Sequence, residues 1–248
     1  MKTNERKNYR YKTTKNETSD FWEALVRIYQ PAQDSSTCRF GLIYAIIQSL
    51  PLIDKKNYSL SRIKIAEQMV RFYWYPILAM RLLHGQEGDM LPSPAGPFHQ
   101  WISDAHPSFS EVLEFDKLQL LAAINRDVLE ETLFSVYTDM KKMPYSFSKE
   151  GHSITLNPYF YQFLWQNRDI LSTLNLIEYV KTLTSLNPDY SFVELMLEID
   201  MNSGTASNTD FRYFFDVYAA RLSAYGLDLS ACHEYYQEFY IFQVVEEI

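Results

Sequence analysis

Apolar residues recur along this chain at three- and four-residue intervals, in runs broken by prolines and polar turns. That spacing is the signature of helices with one buried face. Asp20 and Glu23 have capping-box spacing, so a first helix is predicted from Asp20, with Phe21, Trp22, Leu25, Val26 and Tyr29 as its apolar stripe. Pro31 stops it. A second helix, capped from Ser35, Ser36 or Thr37, runs through Phe40, Ile43 and Ile47 to Pro51 and is apolar nearly all round, which predicts a central position. Ser59 or Ser61 caps a third, through Ile63, Ile65, Ala66, Met69, Val70 and Tyr73, with a kink or break expected at Pro76.

Pro92, Pro94, Pro97 and Pro107 make residues 89–108 a loop, with one short helical turn around Phe98, Trp101 and Ile102. A long helix is predicted from Lys117 to about Met140, burying Leu118, Leu121, Ala122, Leu129, Leu133, Phe134 and Val136. Tyr145-Ser146-Phe147 and Ser153-Ile154-Thr155-Leu156 alternate around Gly151, the pattern of a short hairpin. Asn157-Pro158 places an N-cap before an N1 proline, and a helix or helix pair should follow to about Leu186, where Asn187-Pro188 breaks it. Beyond lie Ser191–Asp200, a polar stretch Ser203–Thr209, a helix capped by Asp210 and a last helix from Ser230. The fold class expected is mainly α, an irregular multi-helix bundle with one short β-hairpin near 145–156.

Composition supports this: 7 glycines in 248 residues disfavour tight-turned β architecture, and 19 Tyr and 16 Phe supply a large core. Charge divides the chain further. Residues 1–17 carry Lys2, Arg6, Lys7, Arg10, Lys12 and Lys15 against Glu5 and Glu17. Residues 188–248 hold only Arg212 and Arg221 against 11 acids. Three parts are expected: a flexible basic arm (1–18), a helical body (19–188) and an acidic helical C-terminal segment (189–248). No apolar run reaches the ~18–20 residues of a membrane span. The polar, basic start lacks the apolar core of a secretory signal. A cytoplasmic protein without membrane contact is the expectation.

The chemistry of known catalytic motifs is missing from the pattern. There is no GxxxxGK[ST], no GxGxxG after a strand and no GxSxG. Cys38 and Cys232 form no CxxC pair and read as buried free thiols. Of His84, His99, His106, His152 and His233, no two stand at i,i+4. Three of them flank the proline-rich loop, which leaves an enzyme with a dispersed site around residues 84–106 as one reading; no catalytic residue, metal or cofactor is assigned. Glu194/Glu198 and Glu234/Glu238 do stand at i,i+4, as a solvated face or a docking face for a basic partner. Aromatics at helical spacing read first as core, because a base-stacking platform needs Arg and Lys interleaved with them.

Several segments resemble the N-terminal helical region of bacterial HNH endonucleases of the restriction type. The resemblance rests on Met69-Val70-Arg71-Phe72-Tyr73-Trp74-Tyr75-Pro76, on Pro144-Tyr145-Ser146-Phe147, on the helix from Asn157 and on Asn187-Pro188, and covers residues 20–188. It implies a helical module, from which no catalytic residue transfers: past Pro188 the only histidine is His233, and nothing there matches an HNH pattern. The resulting expectation is a non-catalytic component of a bacterial or phage defence or DNA-processing system. It would recognise DNA or a protein partner, with phosphate contacts from Arg6, Lys7, Arg10, Lys12, Arg62, Lys64 and Arg71 and partner contacts from Glu194, Glu198, Glu234 and Glu238. The rival is a pure protein-binding module or inhibitor that uses the acidic face.

Overall fold

The computed structural model describes residues 15–29, 36–86, 91–101, 109–112, 114–139, 144–148 and 150–202. These are mostly helical, with a small antiparallel sheet, as the apolar periodicity predicts. Helix α1 (Lys15–Tyr29) begins five residues before the expected cap, leaving Asp20 inside it. Nothing in Lys15–Ser19 breaks a helix, so the helix extends backward past the capping-box spacing. Helix α2 (Cys38–Ser49) is central: all its residues except Tyr44 and Gln48 are buried, and it packs mainly against α3 (Arg62–Leu78) and α7 (Arg168–Leu186).

Helix α3 carries through Pro76 instead of breaking there. The proline lies in the last turn, where the missing N–H costs a single ladder bond. The helix ends two residues later, and Arg81 adopts the left-handed region at φ 55°. Phe98, in a 3-10 turn over Gly96–Trp101, is buried edge-on to Trp74 and anchors the proline-rich loop.

The predicted long helix is α4 (Glu114–Ile124) and α5 (Glu130–Asp139) joined by a π turn, Asn125–Leu129. Its buried face differs from the expectation. Leu118 and Phe134 are 53% and 63% exposed, and Ala122 is also exposed; the core takes Leu120, Leu121, Ile124, Val128, Leu129, Leu133 and Val136. A π turn inserts one extra residue, which rotates everything after it by about 100° relative to a uniform 3.6-residue period. One stripe drawn through both halves therefore mixes two phases.

The hairpin forms as β2 (Tyr145–Phe147) and β3 (Ser153–Leu156), with Gly151 at φ 71° in the turn. A third strand, β1 (Ser59–Ser61), joins the other edge of β3, with Leu60 opposite Ile154. By sequence Ser59 or Ser61 caps α3; Ser61 does stand at the N-cap, but without a side-chain cap bond.

Asn157 caps α6 (Pro158–Gln166) as expected, its Oδ1 accepting the Tyr159 N–H at 2.9 Å. Helix α7 ends at Leu186, and Asn187 then ties it to the segment after α3, accepting the Leu83 N–H at 2.8 Å and donating to the Leu83 carbonyl at 3.1 Å. Helix α8 (Phe192–Asn202) starts with a capping box, Ser191 N–H to Glu194 Oε2 at 2.7 Å and Glu194 N–H to Ser191 Oγ at 3.2 Å. It buries Leu195, Met196 and Ile199 against the body. Among the described residues, no helix is long and apolar enough to cross a membrane.

Candidate nucleic-acid interface

Between the end of α2 and β1 the chain makes a tight turn. Asp54 organises it: its carbonyl accepts the N–H groups of Asn57 (3.2 Å) and Tyr58 (2.7 Å), and its Oδ1 accepts the Lys56 N–H at 2.9 Å. Asn57 Oδ1 accepts the Ser59 N–H at 3.0 Å. Lys55 and Lys56 are thereby held at an exposed tip. Tyr58 closes the turn at φ 55°, a backbone region that non-glycine residues occupy at a cost and that recurs at ligand clamps.

Against this turn lies the last part of α6. The Tyr58 ring packs on Tyr161 with centroids 5.3 Å apart, and Tyr161 stacks on Trp165 one turn on at 6.1 Å and 24°. Two cations stand over the half-buried indole of Trp165: Lys55 Nζ at 5.5 Å from the ring centroid and the Arg168 guanidinium at 5.2 Å. Arg168 also lies 3.5 Å from the exposed Asp169 carboxylate and donates to the Trp165 carbonyl at 3.4 Å. The result is a ring row running from the turn onto α6, with Lys55 and Arg168 over its Trp165 end, Lys56 exposed in the same turn, and Asp54 and Asp169 as the acids of the same stretches.

This grouping was missed in the sequence because its two halves are about a hundred residues apart. The signals available were the Lys55-Lys56 pair in a polar turn and the Trp165 to Arg168 spacing at i,i+3.

The basic residues singled out on α3 are placed differently. Arg62 is buried and committed to the fold: Nε donates to Asn125 Oδ1 (3.0 Å), Nη1 to the Gly151 carbonyl (3.1 Å), and Nη2 to the Asn125 carbonyl (3.2 Å) and Glu130 Oε2 (3.1 Å). It ties α3, the π turn and the hairpin together, which leaves its guanidinium unavailable for phosphate. Lys64 and Arg71 are exposed, but both bind Glu67, at 3.0 and 3.1 Å. Burial tends to raise the Glu67 carboxyl, yet the hydrogen bonds from Lys64 and Arg71 outweigh it and hold the group below the ordinary range. Arg6, Lys7, Arg10 and Lys12 lie outside the described residues.

Of the acidic residues, Glu194 and Glu198 are exposed on α8. Glu194 caps its own helix, and the Ser191 backbone N–H, then the Ser191 hydroxyl, hold its carboxyl below the usual range. Glu198 accepts the Tyr75 hydroxyl at 3.0 Å. Glu234 and Glu238 lie outside the described residues.

His84 is fully buried between the rings of Tyr73 and Tyr179, with Nδ1 3.0 Å from the Thr37 hydroxyl. Burial pushes its pKa down to about 3, so the ring is neutral. His99 is exposed, and His106 lies outside the described residues. Among the described residues no group of three or more His, Cys, Asp or Glu side chains could hold a metal ion.

Comparison with protein-family models, with curated proteins and with solved structures returns no match. The functional reading therefore rests on the chain's own residues.

Proposed function

We propose that this protein is a non-catalytic, nucleic-acid-recognising component of a bacterial or phage defence or DNA-processing system, which leaves cutting to another subunit. The observation that carries the recognition is the half-buried Trp165 indole with Lys55 and Arg168 over its ring, packed on the buried Tyr161 and beside the exposed turn of Lys56. Grooves for single strands combine cations for phosphate with rings for bases. The chain is net −8, so long-range repulsion acts against any polyanion and such contacts must come from segregated cations. The turn at Lys55 and Lys56 is one such place, and the basic sequence of residues 2–15 supplies a second. The defence setting is drawn from the resemblance of residues 20–188 to the helical region of restriction-type HNH endonucleases.

Binding to labelled oligonucleotides across a salt series tests this reading. Each phosphate contact removed should flatten the log–log salt slope by about 0.7–0.9. Replacing Lys55, Lys56 and Arg168 by alanine together should weaken binding and lower the slope by about 2–3. Salt-independent binding, or none, would count against it. A second reading, a protein-binding module or inhibitor, draws on Glu194 and Glu198, which stand exposed on one face of α8. It predicts tight capture of a basic protein, lost in Glu194→Lys/Glu198→Lys, with no polynucleotide bound.

A further inference from the structure

Resting on that reading, we infer that the polymer recognised is single-stranded, with a base stacked on Trp165 and its flanking phosphates taken by Lys55, Lys56 and Arg168. In a duplex each base face is already covered by its neighbour, so an aromatic side chain on a protein surface finds only the sugar–phosphate exterior and the groove edges. An unpaired base presents an open face. Trp165 offers the matching surface, a half-buried indole with two exposed cations over its ring.

Those cations are the natural exchange partners. A Lys or Arg side chain over an indole at an exposed site is held weakly. Phosphates arriving beside the ring draw Lys55 Nζ and the Arg168 guanidinium outward, and the ring they covered becomes free for a base. Tyr161 stacks on Trp165 in the same helix and Tyr58 packs on Tyr161, so the indole is braced by neighbouring rings instead of being carried on a loop. The left-handed backbone of Tyr58 sits at the edge of this row, where the Asp54 turn brings Lys55 against Trp165. Stacking on a π-face is open to every base, so recognition should tolerate sequence.

The test uses the full chain, fluorescein-labelled dT12, rU12 and a 12-base-pair duplex, with anisotropy as the readout at fixed salt. Expected is at least tenfold tighter binding of a single strand than of the duplex. Trp165→Ala should lose about tenfold on the single strand while Trp165→Phe keeps most of the affinity, because phenylalanine retains a π-face. A preference between dT12 and rU12 identifies the sugar, and either strand bound ahead of the duplex supports the inference. Lys55→Glu, in the exposed turn, provides an arm that leaves the α6 packing intact and should weaken single-strand binding at least threefold. Equal or tighter duplex binding, or single-strand binding indifferent to both Trp165→Ala and Lys55→Glu, overturns the inference while the nucleic-acid reading stands. Failure of all three probes to bind removes both.

Discussion

The hydroxyl of Tyr73 is inserted into the first turn of α2, where it accepts the Gly41 N–H at 3.1 Å and donates to the Thr37 carbonyl at 2.6 Å. It replaces the direct bond that Gly41 and Thr37 would otherwise make in an α-helix. The intrusion requires glycine: a Cβ at position 41 would lie 2.4 Å from the Tyr73 ring. Gly41→Ala should therefore destabilise the fold by about 1–3 kcal/mol, as overpacking does. Tyr73→Phe should cost a comparable amount by stripping two buried backbone groups of their partner. Since both changes act on one contact, their double variant should fall short of the sum in urea denaturation. Strict additivity would mean that the two residues are not coupled.

His84 should make the protein acid-sensitive. Burial holds its pKa near 3, against 6.5 for the unperturbed side chain. Between these values the unfolded chain binds a proton that the native state refuses. Stability is thus fully present above pH ~6.5 and falls by about 1.4 kcal/mol per unit as the pH drops. Urea midpoints between pH 5 and 7.5 would show the slope, and His84→Gln, though less stable at neutral pH, should lack it. An unchanged slope in that variant would assign the acid sensitivity elsewhere.

Arg62 belongs to the fold and its neighbours Lys64 and Arg71 to the surface. Arg62→Lys cannot serve the Gly151 carbonyl, Asn125 and Glu130 together, and should lower stability by about 1–3 kcal/mol. Glu130 is 66% exposed, so Glu130→Gln should cost under about 1 kcal/mol. Nucleic-acid affinity of the folded Arg62→Lys protein should match that of the parent, measured on the fraction that melts cooperatively. A selective loss of affinity with stability intact would reverse this assignment.

The Asn157 cap gives a local check. Asn157→Ala removes the acceptor for the Tyr159 N–H and should cost about 1 kcal/mol, whereas Asn157→Asp keeps an acceptor and should be close to neutral. Thermal melts of the two variants separate a capping effect from a general intolerance of change at this position.

Where a feature is written in neighbouring residues, the sequence reveals it. The cap at Asn157-Pro158, the stop at Asn187, the buried α2 and the hairpin around Gly151 all follow from spacing and turn chemistry within a dozen residues. Two kinds of feature escape. Strand β1 is three residues, Ser-Leu-Ser, too short to show a period, and exists because β3 offers an edge. The π turn at Asn125 shifts the phase of a helix whose residues give no local sign of it, so a uniform apolar stripe points Leu118 and Phe134 inwards although they face solvent.

By itself, then, the amino-acid order determined that the chain folds mainly into helices, where most of them end, and that its charge is unevenly spread, because propensity, capping and periodicity act over one or two turns. Only the tertiary structure decided what each cation meets. Arg62, on paper a phosphate contact, is consumed by three parts of the fold, while Lys55 and Arg168, more than a hundred residues apart, meet over Trp165. What a charge can do depends on what lies within a few ångströms of it, and packing sets those neighbours, with no regard for their distance along the chain.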